Sequence, residues 1–288
     1  MSSTARMKPV IPPPLALLLA LLGISSAAPL ARLASVDGVT AAVWRLSIGT
    51  TVTLLLLAAR RQRIPGLSES AKATISGLFL ATHLALWLES LRHMSVASST
   101  GIVVSYPVIT ALYEILRGEV KRPGRVLFGV VLGFLGVLVL STPWAGATLY
   151  GALLSFFAAV MASAYFIFGR HLRVSGLTTL QYTLVAYGSA TLALVALSLV
   201  FSIAIWSPPR ESIPYLVMLG LVPMLLGHSM LNYALAFYPA SVVTVVALLE
   251  PYGASLLAWL VLGEEPKALT VLGMVLSVSG AWITVRNT

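Results

Sequence analysis

The chain has 288 residues, 58% of them hydrophobic and only 9% charged, with no cysteine and a formal net charge of +9. A soluble domain carries about 25% charged residues, so lipid must cover much of this surface, and the missing cysteines exclude disulfides, thiolate nucleophiles and Cys-based metal sites. The basic surplus sits in short inter-helix loops, where it reads as a topology signal rather than a nucleic-acid footprint.

The apolar stretches predict ten membrane-spanning helices, at 14–34, 39–59, 71–92, 95–116, 124–141, 147–169, 178–205, 213–236, 240–262 and 268–286. Breakers separate them, among them Asp37-Gly38, Pro65-Gly66, Pro123-Gly124, Pro143, Ser207-Pro208-Pro209 and Glu264-Glu265-Pro266. In the first span, Leu15 to Leu22 followed by Ser25-Ser26-Ala27-Ala28 resembles a signal peptide's apolar core and cleavage region. An uncleaved span fits better, because the apolar character runs on towards Ala34 and removal would leave an odd count. Pro29 is its candidate hinge. In the second span Arg45 lies about two turns in. It has two uses, snorkelling to the outer interface or binding a substrate carboxylate or phosphate, and the interface is the favoured one.

Ionisable and polar groups inside spans are expensive and mark sites by default. His83 and Trp87 share a face of the third span, where Glu89 and Arg92 form a candidate interfacial ion pair near its end. The fourth span carries Ser105-Tyr106-Pro107 and Tyr113, the sixth Tyr165. His228 and Asn232 share a face of the eighth, which also holds Tyr233. The ninth is interrupted at Glu250-Pro251, beside Tyr252. A proline removes one intrahelical bond; here that leaves the carbonyls of Val103 and Ala247 without their donors. Glu250 then has three candidate roles: proton carrier, cation partner, or hydrogen-bond donor to the loosened backbone. Each histidine is read either as lining a cavity or as bonding a backbone carbonyl for packing, and cavity lining is preferred. No third ligand accompanies the histidines at metal-binding spacing, so neither a metal nor a cofactor is expected. Trp144 and Trp282 read as interfacial belt residues.

The two halves carry the same pattern, offset by 144 residues: Pro107 matches Pro251, Gly129 matches Gly273, and Gly136 matches Gly280. A unit with an odd number of spans inserts in opposite orientations when duplicated. The expected architecture is therefore an all-α integral membrane protein of two inverted five-helix repeats, 1–142 and 143–288, within one membrane domain. The spans at 124–141 and 268–286 carry Gly129-xxx-Gly133 and Gly273-xxx-Ser277, patterns that permit close helix approach. They are assigned to scaffold packing or a homodimer contact. Thirteen Lys and Arg fall on the side of the N-terminus (Arg6, Lys8, Arg60, Arg61, Arg63, Lys72, Arg117, Lys121, Arg122, Arg125, Arg170, Arg173 and Arg286). Four fall opposite (Arg32, Arg92, Arg210 and Lys267). The positive-inside rule then places both termini in the cytoplasm.

Leu248-Leu249-Glu250-Pro251-Tyr252-Gly253-Ala254, leading to Leu262-Gly263-Glu264-Glu265-Pro266, resembles the EamA family of the drug/metabolite transporter superfamily. The first-half echo is Tyr106-Pro107-Val108-Ile109-Thr110-Ala111, then Leu116-Arg117-Gly118-Glu119, with Tyr106 in the glutamate position. The resemblance covers essentially the whole chain. It implies a multi-pass carrier of the bacterial inner membrane that exports small metabolites, often amino acids. It also implies a central cavity lined mainly by helices 1, 3, 4, 6, 8 and 9, with helices 5 and 10 peripheral. Within the family the chain is most similar to YddG-type exporters of aromatic amino acids. The expected substrate-binding residues are His83, Trp87, Tyr106, Tyr165, His228, Asn232, Glu250 and Tyr252, with Pro29, Pro107 and Pro251 as kinks for an alternating-access motion. Coupling has two forms open to it, proton antiport and downhill export.

Other readings fit less well. An intramembrane enzyme would need a catalytic constellation, and neither a Gly-x-Ser-x-Gly elbow nor a His-Glu-x-x-His is present. A highly charged phosphorylated solute would need several cations at mid-depth, where only Arg45 approaches. A drug or another metabolite is the alternative cargo within the same superfamily.

Overall fold

A computed structural model describes residues 9–141, 148–265 and 269–288. Eight helices are long and apolar enough to span a bilayer: α1 (Pro13–Ala34), α2 (Gly38–Ala59), α3 (Leu67–Ser90), α4 (Val96–Leu116), α6 (Leu149–Val174), α7 (Thr179–Val200), α8 (Arg210–Ala234) and α9 (Ala240–Leu262). Two further apolar helices, α5 (Pro123–Ser141) and α10 (Thr270–Asn287), complete the bundle. No strand occurs among the described residues. Large apolar side chains such as Phe128, Leu192, Leu199 and Leu260 point outward from the bundle, as a lipid-facing surface requires. Arg6, Lys8, Pro143, Trp144, Pro266 and Lys267, named above, lie outside the described residues.

Several ends differ from expectation, for local reasons. α3 starts at Leu67 because Glu69 accepts from the Gly66 N–H at 2.8 Å, half of a capping arrangement. α7 stops at Val200, and Ser202 follows at φ 54, outside the helical region. α6 runs on to Val174, through Arg170 and Arg173, which the charge pattern had placed in a loop. Both are drawn back into the protein: Arg170 donates to the Leu235 carbonyl, and Arg173 donates to those of Asn232 (3.0 Å) and Leu177. Arg173 is buried.

That use of charge recurs at several helix ends. Arg32, closing α1, donates to the carbonyls of Leu91 (2.7 Å) and Met94 (3.2 Å), just beyond α3. Arg170 and Arg173, closing α6, serve the C-terminal end of α8 in the same way. Glu114, near the end of α4, is buried and accepts from Ala240 N (2.6 Å) and Ser241 N (3.1 Å), where α9 starts. Glu264, just past α9, accepts from Val96 N, where α4 starts, at 3.4 Å, and pairs with Arg32 at 3.5 Å. Glu89 accepts from Gly38 N, where α2 starts, at 2.9 Å, besides pairing with Arg92 at 3.3 Å. Anions therefore sit at helix N-termini and cations at C-termini, where they satisfy orphan backbone groups and the helix dipole together.

The contacts sort the helix ends into two sets. Ile11 meets Tyr233, Thr178 meets Gln62, Glu114 meets Ala240, and Arg122 meets Asn287 at one end of the bundle. Arg32, Glu89, Val96 and Glu264 meet at the other. The chain alternates between them, so both of its described ends lie at the first.

α5 and α10 pack on each other through their small residues. A Cβ on Gly129 would lie 2.6 Å from Thr284 Oγ1 and 2.8 Å from the Gly280 carbonyl, and one on Gly136 would meet the Gly273 carbonyl. Gly129 thus faces Gly280, and Gly136 faces Gly273. Since Gly129 corresponds to Gly273 and Gly136 to Gly280, the contact is reciprocal, as a two-fold relation generates. One index rises as the other falls, so the two equivalent helices run antiparallel.

Candidate functional site

Three interruptions open the bundle interior. α1 breaks at Ser26, between Pro13–Ser25 and Ala27–Ala34, three residues before Pro29. α4 breaks at Val104 and Ser105, ahead of Pro107. α9 passes through a tight 3₁₀ turn, Val246–Leu249, before Glu250–Leu262. There the structure corrects one expectation: the Ala247 carbonyl is not left without a donor, because the Glu250 N–H takes the place that proline vacates. A fourth interruption was missed. Pro223 sits inside a π-helical segment of α8, Gly220–His228.

Among these elements lies a small central cavity of about 20 Å³. Its walls are Ile24 and Ala27 of α1, Arg45 of α2, His83 and Trp87 of α3, Val103 and Tyr106 of α4, Phe166 of α6, His228 and Leu231 of α8, and Glu250 of α9. His83 and Trp87 stack with their rings 4° from parallel and 6.2 Å apart. His83 lies 6.2 Å from His228, ring to ring, so the two histidines do converge from the two halves. The His83 Nδ1–H donates to the Ala158 carbonyl at 2.9 Å, which leaves Nε2 as the acceptor of a neutral ring. His83 therefore both bonds a carbonyl and lines the cavity. Tyr106 stacks on Phe166 at 5.6 Å, and Phe166 on His228 at 6.3 Å.

The 144-residue offset sets His83 against Gly227, not His228. In the structure Gly227 is a packing position: a Cβ on Gly23 of α1 would lie 2.5 Å from its nitrogen. A π turn closes i→i+5 and so holds one residue more than an α turn. That extra residue turns His228 to the cavity while Gly227 stays in the helix contact. The Ser229 N–H and hydroxyl both donate to the Met224 carbonyl.

Not every expected residue reaches the cavity. Tyr165 and Asn232 stand behind the wall: the Asn232 amide donates to the hydroxyls of Tyr165 (2.5 Å) and Tyr187 (3.2 Å), and Tyr165 packs 6.2 Å from His228. They brace His228 rather than face the free space. Tyr252 turns away. Its hydroxyl donates to Ser277 of α10 at 2.8 Å, and Ser277 donates to the Gly133 carbonyl of α5 at 2.8 Å. Two residues along a helix is about 200°, so Tyr252 and Glu250 cannot share a wall.

Arg45 is the main correction. It does not snorkel: it is 0% exposed and lines the cavity. One guanidinium nitrogen donates to the Pro223 carbonyl at 3.3 Å, a group the π segment presents; Nε and Nη1 have no partner. Glu250, 7% exposed, is the acidic neighbour in its field, yet no ion pair within 4.0 Å joins them. Trp87 Nε1 and His228 Nδ1 are likewise buried without partners. A larger cleft of about 420 Å³ opens among α2, α6, α7 and α8, lined in part by Arg60, Thr183, Ser229 and Tyr233. His228 and Ser229, adjacent in sequence, thus face two different spaces, and the Ser229 hydroxyl is bonded to Tyr187 at 3.1 Å.

Known proteins agree with this architecture. A solved crystal structure superimposes on the chain with a TM-score of 0.78 at 19% identity, covering 95% of this chain and 97% of that one. The uncharacterized transporter YdfC of Bacillus subtilis is 25% identical over 249 residues, 84% of this chain and 80% of the relative. The pseudopaline exporter CntI of Pseudomonas aeruginosa is 26% identical over 242 residues, 82% of this chain and 81% of the relative. The profile of the EamA-like transporter family matches twice, over residues 12–142 and 149–286. The chain is a multi-pass protein of the inner membrane and belongs to the EamA-like transporter family.

Proposed function

We propose that the protein is a secondary transporter that exports a small metabolite, in the first instance an aromatic or large neutral amino acid, by alternating access through the central cavity. The observation that carries this reading is the cavity itself: aromatic faces from Trp87, Tyr106 and Phe166 surround unpartnered polar groups at a point where both halves of the chain meet. The moving parts are the repeats 1–142 and 143–288. Their division is supported by the reciprocal α5–α10 seam and by the double family match. Breaks at Ser26, Ser105 and Val246–Leu249 supply the hinges beside the cargo. His83, Trp87, Tyr106, His228 and Glu250 contact the substrate, while Tyr165 and Asn232 hold His228 in place. The charge distribution supports a cytoplasmic position for both termini. A homodimer through α5 and α10 would use their outward faces, such as Phe128, Leu135 and Trp282, since the glycine faces are spent within the chain.

The test is counterflow of labelled amino acids in liposomes. Saturable exchange of phenylalanine or leucine, abolished in His83→Ala, is the expected result. Absence of any amino-acid exchange would redirect the search to drugs or other metabolites.

A further inference from the structure

We infer that the central cavity is built for a zwitterion, with Arg45 anchoring its carboxylate and Glu250 receiving its ammonium group. The inference rests on the transporter reading above and names the chemistry of its cargo. Arg45 is fully buried and spends one nitrogen on a backbone carbonyl, while Nε and Nη1 stay idle. The Glu250 carboxylate lines the same space and accepts no hydrogen bond among the described residues. Other buried charges in this chain are satisfied: Glu114 by two backbone N–H groups, Arg173 by two carbonyls. At the cavity, Arg45 Nε and Nη1, Trp87 Nε1 and His228 Nδ1 stand without partners, where a ligand can complete them.

Charge balance selects the ligand class. Arg45 and Glu250 both face the cavity, and no ion pair within 4.0 Å joins them. A ligand with one carboxylate and one ammonium completes both pairs and leaves the buried charge at zero. A plain amine leaves the guanidinium uncompensated, and a plain carboxylate leaves Glu250 so; either arrangement strands a charge away from water. Trp87, Tyr106 and Phe166 offer ring faces to the apolar body of the ligand.

The experiment compares three probes of one shape: L-phenylalanine, phenethylamine, which lacks the carboxylate, and 3-phenylpropionate, which lacks the amine. Counterflow is measured in liposomes with wild type, R45K, R45Q and E250Q. Wild type should prefer phenylalanine to either analogue by about tenfold or more, the scale of one charge-assisted pair. R45Q should lose phenylalanine and 3-phenylpropionate but spare phenethylamine, and E250Q should spare 3-phenylpropionate. R45K, which keeps the charge, should retain part of the phenylalanine flux. Equal loss of all three probes in R45Q with R45K behaving as wild type, or no preference in wild type, would overturn the assignment. If wild type moves none of the probes, the amino-acid reading fails by itself. The charge assignment is then decided by thermal unfolding in detergent: a rise in Tm with 3-phenylpropionate in wild type but not in R45Q upholds it, and no rise overturns it.

Discussion

The α5–α10 seam joins the fifth helices of the two halves and the α4–α9 pair is their fourth helices, and the two pairs have fared differently. In the seam, glycine faces glycine from both sides, and the Gly129–Gly280 contact has its counterpart in Gly136–Gly273. In the broken helices the backbone is matched, with Pro107 answering Pro251 and the left-handed Gly118 (φ 68) answering Gly263 (φ 71). Their side chains are not matched: Tyr106 stands where the other half has Glu250. Where backbone meets backbone there is no room for divergence, because any added carbon collides with main chain. Where side chains face free space, the halves are at liberty to differ, and an asymmetric ligand needs them to.

That contrast can be broken at either region. The largest expected effect is Gly280→Leu, whose side chain would be driven into the backbone of Gly129 and Gly133; overpacking of this kind should cost about 3 kcal/mol or more, read as loss of folded, monodisperse protein or a steep fall in Tm. Arg45→Met should act in the opposite direction. Removing an incompletely paired buried charge should stabilise the protein, by about 2 kcal/mol, while phenylalanine transport is lost; a destabilised variant would make Arg45 structural. Glu114→Gln weakens the acceptor at the start of α9 and should cost about 1 to 2 kcal/mol, with substrate preference unchanged in counterflow. Smallest is Ser277→Ala, which removes the link between Tyr252 and the Gly133 carbonyl. A loss of about 0.6 kcal/mol in thermal unfolding, without change in transport, would mark Tyr252 as scaffold; a transport defect would return it to the substrate path.

The sequence alone determined the helices, the breaks in α1, α4 and α9 and the duplicated frame, because apolar length, proline and glycine act locally and leave their mark at fixed spacing. It also picked out His83, Trp87, Tyr106, His228 and Glu250, since polar groups in long apolar runs stand out without any knowledge of neighbours. It did not reveal which of two uses Arg45 serves, nor that Tyr252 turns to Ser277, nor that Arg170, Arg173 and Glu114 seal the ends of other helices. Those depend on what lies across the bundle. A residue's depth can be counted along its own helix, but its partner is fixed by rotation and packing, and in α8 a single π segment shifts that rotation enough to exchange Gly227 for His228. Tertiary structure decided the cavity because hydrogen-bond satisfaction is a property of the neighbours: only with every helix in place do two idle nitrogens of Arg45 and a bare Glu250 come to face the same space.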